Sequence, residues 1–300
     1  MASKWNYGKK TIASHIFDSI NISFMFFLMV ITLYPFLYVL FASISNPMRM
    51  MGHTGLLLGP LGVQFDVYKM VLANKALRNG YLVTLFVVIV GTACNMTASL
   101  LFAYVLSRKI MLRRLITFLA IFTMYFSGGM IPTYLVVRAI GLIDSLWAMI
   151  LPNLIGTYYV IILRTAFNSI PVEMEESAKL DGAGSVRTLA VILIPLIVPS
   201  IAAITLFYMV NHWNAWSQAL VYIRTPEKYP VQLVLRSILL QNETTSTGTE
   251  VFGYESGTTY ALRQLVKYCT VMVTIIPIIC VYPFLQKFFT KGVMIGAIKG

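Results

Sequence analysis

Six long apolar stretches without a single Asp, Glu, Lys or Arg dictate most of what this chain can become. They run over Ile20–Ser45, Tyr81–Leu106, Leu115–Val137, Leu146–Leu163, Ile192–Trp213 and Tyr268–Leu285. Hydrocarbon offers no partner to a backbone N–H or C=O, so a segment crossing a bilayer must satisfy those groups internally. A helix does so with roughly 20 apolar residues, and these stretches have that length. Composition agrees: 58% of the 300 residues are apolar and 11% are charged, whereas soluble domains carry about 25% charged residues. The mean hydropathy is +0.78. The fold class is an all-α membrane protein with six transmembrane helices. The first stretch is too long for a cleaved signal peptide, and no small-residue cleavage site follows it.

Charge then orients the spans. The chain carries 23 Lys and Arg against 11 Asp and Glu, a net charge of +12. Such an excess can serve nucleic acid, but here it flanks the spans, so no nucleic-acid partner is expected. "SRKIMLRR" (Ser107–Arg114) lies between the second and third spans. Lys4, Lys9 and Lys10 precede the first span, and Lys287, Lys291 and Lys299 follow the last. With six spans these segments share one side, which the positive-inside rule makes cytoplasmic. Residues 1–19 form a cytoplasmic N-terminal segment, with Ile12, Ile16, Phe17 and Ile20 at helical spacing as an interfacial helix leading into the first span. Residues 20–288 form the six-span domain, with a cytoplasmic loop at 165–191 and an external loop at 214–267. Residues 289–300 form a cytoplasmic tail.

Several function classes are poorly served. Ion-coupled carriers keep ionisable groups inside the membrane, and these spans hold none apart from His212, read as a wet interfacial histidine near the outer end of the fifth span. There is no GxxxxGK phosphate loop, no Ser/His/Asp or Cys/His set, and no metal-ligand spacing. Cys94, Cys269 and Cys280 read as small buried side chains. The pattern is that of a membrane pathway whose energy comes from another subunit, and not of an enzyme.

One polar passage breaks the apolar run. "EMEESAKLDGAG" (Glu173–Gly184) sits in the cytoplasmic loop. Asn168 and Ser169 can cap a helix there, and Pro171 suits its first turn. Glu173, Glu175 and Glu176 favour a helix N-terminus, Glu175 and Lys179 are spaced i,i+4, and Gly182 and Gly184 can stop the helix. Ser185 then caps a second helix that runs through Pro195 and Pro199 into the fifth span. A helix over Val172–Leu180 is too short and too polar to enter the bilayer.

These residues carry a resemblance. Glu176-Ser177-Ala178, Asp181-Gly182-Ala183 and Ile192-x-Ile194-Pro195 resemble the EAA loop of ABC-importer permeases, E-A-A-x3-G-x9-I-x-L-P. Ser177 replaces an alanine and Ile194 a leucine. "AYVLSRK" (Ala103–Lys109) is similar to the end of the second span in carbohydrate permeases of the maltose-transporter type. "FSGGMIPTYLVVRAIGLIDSLWAMILP" (Phe126–Pro152), "YPVQLVLRSILL" (Tyr229–Leu240) and "PFLQKFFTKGVMIGAIKG" (Pro283–Gly300) resemble the LplC/YtcP-type branch.

The resemblance implies the six-helix, MetI-like fold of a type I importer permease in a bacterial cytoplasmic membrane, with both termini cytoplasmic. It implies a second homologous permease, two ATPase subunits that bind the ATP and magnesium, and an extracellular or periplasmic solute-binding protein. The cargo would be a sugar, in particular oligosaccharides from polysaccharides, and membrane lipid would surround the spans. Glu173, Glu176, Ser177, Ala178, Asp181, Gly182, Ala183 and Pro195 would form the ATPase-coupling loop. Gly292, Gly296, Lys299 and Gly300 in the tail would reach the ATPases, a frayed end being the alternative. Trp213, Asn214 and Trp216, in "HWNAWSQ", are candidates to line the sugar route, interfacial anchoring being the alternative. The rival functions are an ABC permease for a non-sugar solute and a secondary transporter.

Overall fold

A computed structural model describes residues 12–244 and 259–297, and among these residues every regular element is a helix. The elements are α1 (Ile12–Ser43), α2 (Pro47–Met51), α3 (Asp66–Ala73), α4 (Lys75–Ser107), α5 (Arg113–Tyr125) and α6 (Met130–Ala139). Two 3₁₀ turns, Leu146–Met149 and Leu151–Asn153, lead into α7 (Thr157–Asn168) and α8 (Val172–Leu180). Then come α9 (Ser185–Arg187), a π-helical stretch Thr188–Leu193, α10 (Ile194–Leu196) and α11 (Val198–Trp213). α12 (Trp216–Tyr222), a 3₁₀ turn Pro226–Lys228, α13 (Val231–Thr244) and α14 (Thr259–Ala297) complete the chain.

Among the described residues three helices are long and apolar enough to cross a membrane by themselves: α1, α4, and Ala261–Cys280 of α14. Three further candidates are bent pairs: α5 with α6 at 116°, Leu146–Asn153 with α7 at 53°, and Ser185–Leu196 with α11 at 86°. Each bend has a local cause. Gly128 and Gly129 separate α5 from α6, and Gly129 takes φ +86°, which glycine alone adopts at little cost. Pro195 has no N–H to return to the carbonyl of Val191 and its ring crowds that oxygen. The preceding turns widen into the π-helical stretch, and the chain kinks at Ile197 just before Pro199. The expected continuous helix from Ser185 into the fifth span is therefore two helices. By contrast α1 shows no break between the residues expected at the interface and those of the first span.

The described residues form two compact units, those within 1–71 and 253–273 and those within 72–252 and 274–300. In the first, Asn46 caps α2 by accepting from the N–H groups of Met48 (3.0 Å) and Arg49 (3.4 Å). Tyr68 donates to Ser43 Oγ at 2.7 Å, and the Cys269 thiol donates to the Ser43 carbonyl at 3.2 Å. Cys269 is buried as expected and Cys94 half-buried, whereas Cys280 is exposed.

In the second unit α4 is the central strut, with α7, α11 and α13 packed on it. Met96, Ala103 and Leu106 of α4 meet Val160, Leu163 and Phe167 of α7 and Ile204 and Tyr208 of α11 in one buried cluster. That packing fixes the end of α4 beside the end of α7, where α8 begins.

Candidate functional site

Local chemistry sets both ends of α8. Pro171 is its N-cap, with φ −56° and ψ 136°, and makes no side-chain cap. Asn168 and Ser169, expected to cap it, instead end α7, as its last residue and its C-cap. Glu173 and Glu175 lie in the first turn and Lys179 in the last, each complementing the helix dipole. At the far end the Ala183 N–H donates to the Ala178 carbonyl (2.9 Å) and the Gly182 N–H to the Lys179 carbonyl (3.0 Å). This is a Schellman closure, which needs a left-handed residue at the position after the cap. Gly182 supplies it with φ +75°. Gly184 takes φ −69° and precedes α9, in which Ser185 is already the first helical residue. Gly182 alone therefore stops the helix.

The nine residues divide sharply by face. Glu175 and Ala178 are buried, while Glu173, Met174, Glu176, Ser177 and Leu180 are exposed. A buried carboxylate demands a counter-charge, and Glu175 has two. Arg108 Nη2 lies 2.8 Å from its Oε2, and Lys179 Nζ lies 3.4 Å from its Oε1 in the expected i,i+4 pair. Arg108 is the C-cap of α4, so a cation at the negative end of one helix meets an anion at the positive end of another. The Arg108 guanidinium also lies 4.8 Å from the centre of the Tyr104 ring, which meets Phe167 edge-on at 5.8 Å. The pair is a charge contact without hydrogen-bond alignment, leaving Arg108 Nη2 and Nε without hydrogen-bond partners. α8 is thus pinned to the end of α4 through its inner face and offers an acidic outer face. Beyond it, Asp181 is exposed, Ala183 half-buried and Pro195 exposed.

No family model matches the chain. It is 38% identical over 289 residues to the polygalacturonan/rhamnogalacturonan transport system permease protein YtcP of Bacillus subtilis, covering 96% of this chain and 99% of that one. Protein LplC of the same organism is 38% identical over 291 residues, 97% of each chain. This chain belongs to the permease subunits of sugar ABC transporters. Its fold matches a chain in the crystal structure of a bacterial ABC transporter involved in the import of the acidic polysaccharide alginate, with a TM-score of 0.85, 30% identity, and coverage of 94% and 99% of the two chains.

The permease is an integral membrane protein whose homologues are transporter permease subunits. Its buried interior is more polar than the absence of charge suggested. The helix break at 153–156 frees backbone groups, and side chains of α4 and α11 satisfy them. Asn95 Nδ2 donates to the carbonyls of Asn153 (2.7 Å) and Leu154 (2.9 Å), and the Gly156 N–H donates to the Tyr208 hydroxyl (3.0 Å). Ser99 and Tyr208 share a hydrogen bond of 2.7 Å. Asn95 Oδ1 lies 2.8 Å from His212 Nε2. His212 is therefore buried and hydrogen-bonded, not the wet interfacial residue expected. A Cβ on Gly91 would meet its ring at 2.6 Å, so glycine is what lets α4 and α11 approach here.

Among the sugar-route candidates, Trp213 is packed inside, its Nε1 without a partner. Asn214 and Trp216 are exposed, and the Arg236 guanidinium lies 4.0 Å from the centre of a Trp216 ring. Of the tail residues, Gly292 and Gly296 fall in the backbone of α14, while Lys299 and Gly300 lie outside the described residues, as do residues 245–258 of the external loop.

Besides the buried network around Asn95, sequence reasoning missed two further polar elements: the Arg108–Glu175 pair and a clamp around Asp144. Asp144, at φ +61°, accepts from the N–H groups of Arg224 (3.0 Å) and Thr225 (2.9 Å) and from the Thr225 hydroxyl (2.6 Å). Lys228 Nζ completes it at 2.9 Å. These contacts, that of Lys228 foremost, hold the carboxyl well below its usual range.

Proposed function

We propose that this permease forms half of the membrane pathway of a binding-protein-dependent importer for oligosaccharides of acidic polysaccharides, and that α8 is its coupling helix. The observation that carries this is the two-faced geometry of α8: its inner side is tied by Glu175 to Arg108, and Glu173, Glu176, Ser177 and Leu180 remain exposed. An acidic exposed face fits a basic cleft on a cytoplasmic ATPase. The three straight helices and three bent pairs serve as six spans, and the basic loops place both termini in the cytoplasm. A second, homologous permease completes the pathway. Two ATPase subunits bind the ATP and magnesium, and a solute-binding protein delivers the sugar. The polygalacturonan, rhamnogalacturonan and alginate in the names of the relatives favour an acidic cargo.

Coupling then follows from packing. ATPase closure moves α8 as a rigid body, and the Arg108–Glu175 contact passes the displacement to α4. Packing of α8 on the π-helical stretch passes it to α10 and α11. Nucleotide biases an inward-facing to outward-facing equilibrium, with no ionisable relay in the spans. Asn214 and Trp216 are the exposed candidates for contact with sugar, and the tail from Gly292 is a second contact with the ATPases.

The test is uptake of labelled oligogalacturonide into vesicles bearing the assembled complex, loaded with binding protein on the receiving face. Uptake should require ATP on the ATPase side and resist proton and sodium ionophores. Gradient-driven uptake without ATP would refute the proposal.

A further inference from the structure

The start of α5 carries a charge arrangement that the transport reading does not explain. Helix N-termini favour anions, yet Arg113 and Arg114 fill the first two positions of α5, and its cap residue makes no side-chain hydrogen bond. Arg164 of α7 lies beside the Arg113 face of this turn. Its Nη1 donates to Thr117 Oγ1 at a long 3.5 Å, and Thr117 lies one helical turn beyond Arg113 on the same face. Arg113 is near enough to repel it electrostatically. Arg164 is half-buried, and its Nε is shielded from water with no partner. None of the three takes part in an ion pair among the described residues.

Loose basic residues in water beside a span follow from the positive-inside rule alone. A half-buried arginine with an orphaned donor, set against a second arginine, does not. Leaving buried donors unmade and like charges together is unfavourable until an anion enters. The setting names the anion. α5 has no buried residue, and Leu115, Phe118, Leu119 and Phe122 are exposed along it. The positive-inside reading puts guanidinium groups at the end of such an apolar helix at headgroup level, and their planar forks match phosphate oxygens.

We infer that Arg113 and Arg164 bind the phosphate of an anionic phospholipid. The headgroup holds the end of α5 against α7, beside the attachment of α8.

Native mass spectrometry of the detergent-solubilised full-length complex tests this, with dioleoylphosphatidylglycerol or dioleoylphosphatidylcholine added at equal concentration. The parent should retain the anionic lipid preferentially. Arg164→Gln and Arg113→Gln should each weaken retention about fivefold, while Lys109→Gln, an exposed neighbour, should not. Arg113→Gln removes a charge from the helix end without disturbing α7, so a folding failure of the Arg164 variant leaves the test intact. Equal retention of both lipids overturns the inference, as does an equal loss in the Lys109 variant. Displacement of the lipid by millimolar inorganic phosphate also overturns it, because the site would then belong to the free ion.

Discussion

Arg108→Ala isolates the contact that ties α8 to the membrane helices. The Arg108 side chain is 29% exposed and that of Glu175 10%, at a separation of 2.8 Å. Breaking a fully buried ion pair costs about 3–5 kcal/mol, and breaking an exposed one costs about 0.2–1 kcal/mol. With one partner buried and the other partly wet, about 2 kcal/mol is expected, or about 30-fold in the docked-to-undocked ratio of α8. Lys179 cannot replace Arg108: it is 63% exposed and lies at 3.4 Å on the other oxygen. The assay is ATP hydrolysis by the reconstituted complex, with and without sugar-loaded binding protein. Basal hydrolysis should persist and stimulation should fall toward it. Arg108→Lys should keep part of the stimulation, and the exchange Arg108→Glu with Glu175→Arg should recover more than either single change. Full stimulation in Arg108→Ala, or single and double variants whose effects simply add, would refute the reasoning.

Gly182→Val should cost about 1–3 kcal/mol from backbone strain alone, because φ is +75° and nothing lies within 4 Å of the new Cβ. Gly182→Asn, tolerated in left-handed backbone, should retain more sugar-stimulated hydrolysis, and equal behaviour of the two variants would show that the Schellman turn is irrelevant to coupling. Glu176→Lys leaves every buried contact of α8 in place and reverses a charge on its exposed face. It should reduce ATPase co-purification while leaving sugar capture by the binding protein unchanged. Asp144→Asn should open the 224–228 turn, read as faster tryptic cleavage after Arg224. Because the folded carboxyl titrates below its ordinary value of 3.8, its stabilisation is fully present above that value and is lost as pH falls through and below it. Parent cleavage resistance should therefore be flat from about pH 8 to pH 5.

What could be read in advance follows the range of each interaction. The bounds of α8 are set within its own residues, by Pro171, the early glutamates and Gly182, so they were legible. The i,i+4 pair of Glu175 and Lys179 was legible for the same reason. Arg108 and Glu175 are joined only by packing of α4 against α7, and no local pattern pairs them, although both stood inside motifs already singled out. His212 was misread because hydropathy describes the average surroundings of a span. Its actual neighbours, Asn95 and Gly91, arrive from another helix. The glycines and prolines at 128, 129, 195 and 199 were visible, but apolar length hid the bends they cause.

The central claim is that the exposed face of α8 sits in an ATPase cleft. Ser177→Cys in a permease whose Cys94, Cys269 and Cys280 have been replaced by alanine, assembled with its partners, tests it most directly. Alkylation of this thiol should slow markedly when the ATPases are present, and a short bifunctional reagent should link it to an ATPase subunit. Equal alkylation with and without the ATPases, together with no cross-link, would contradict the claim.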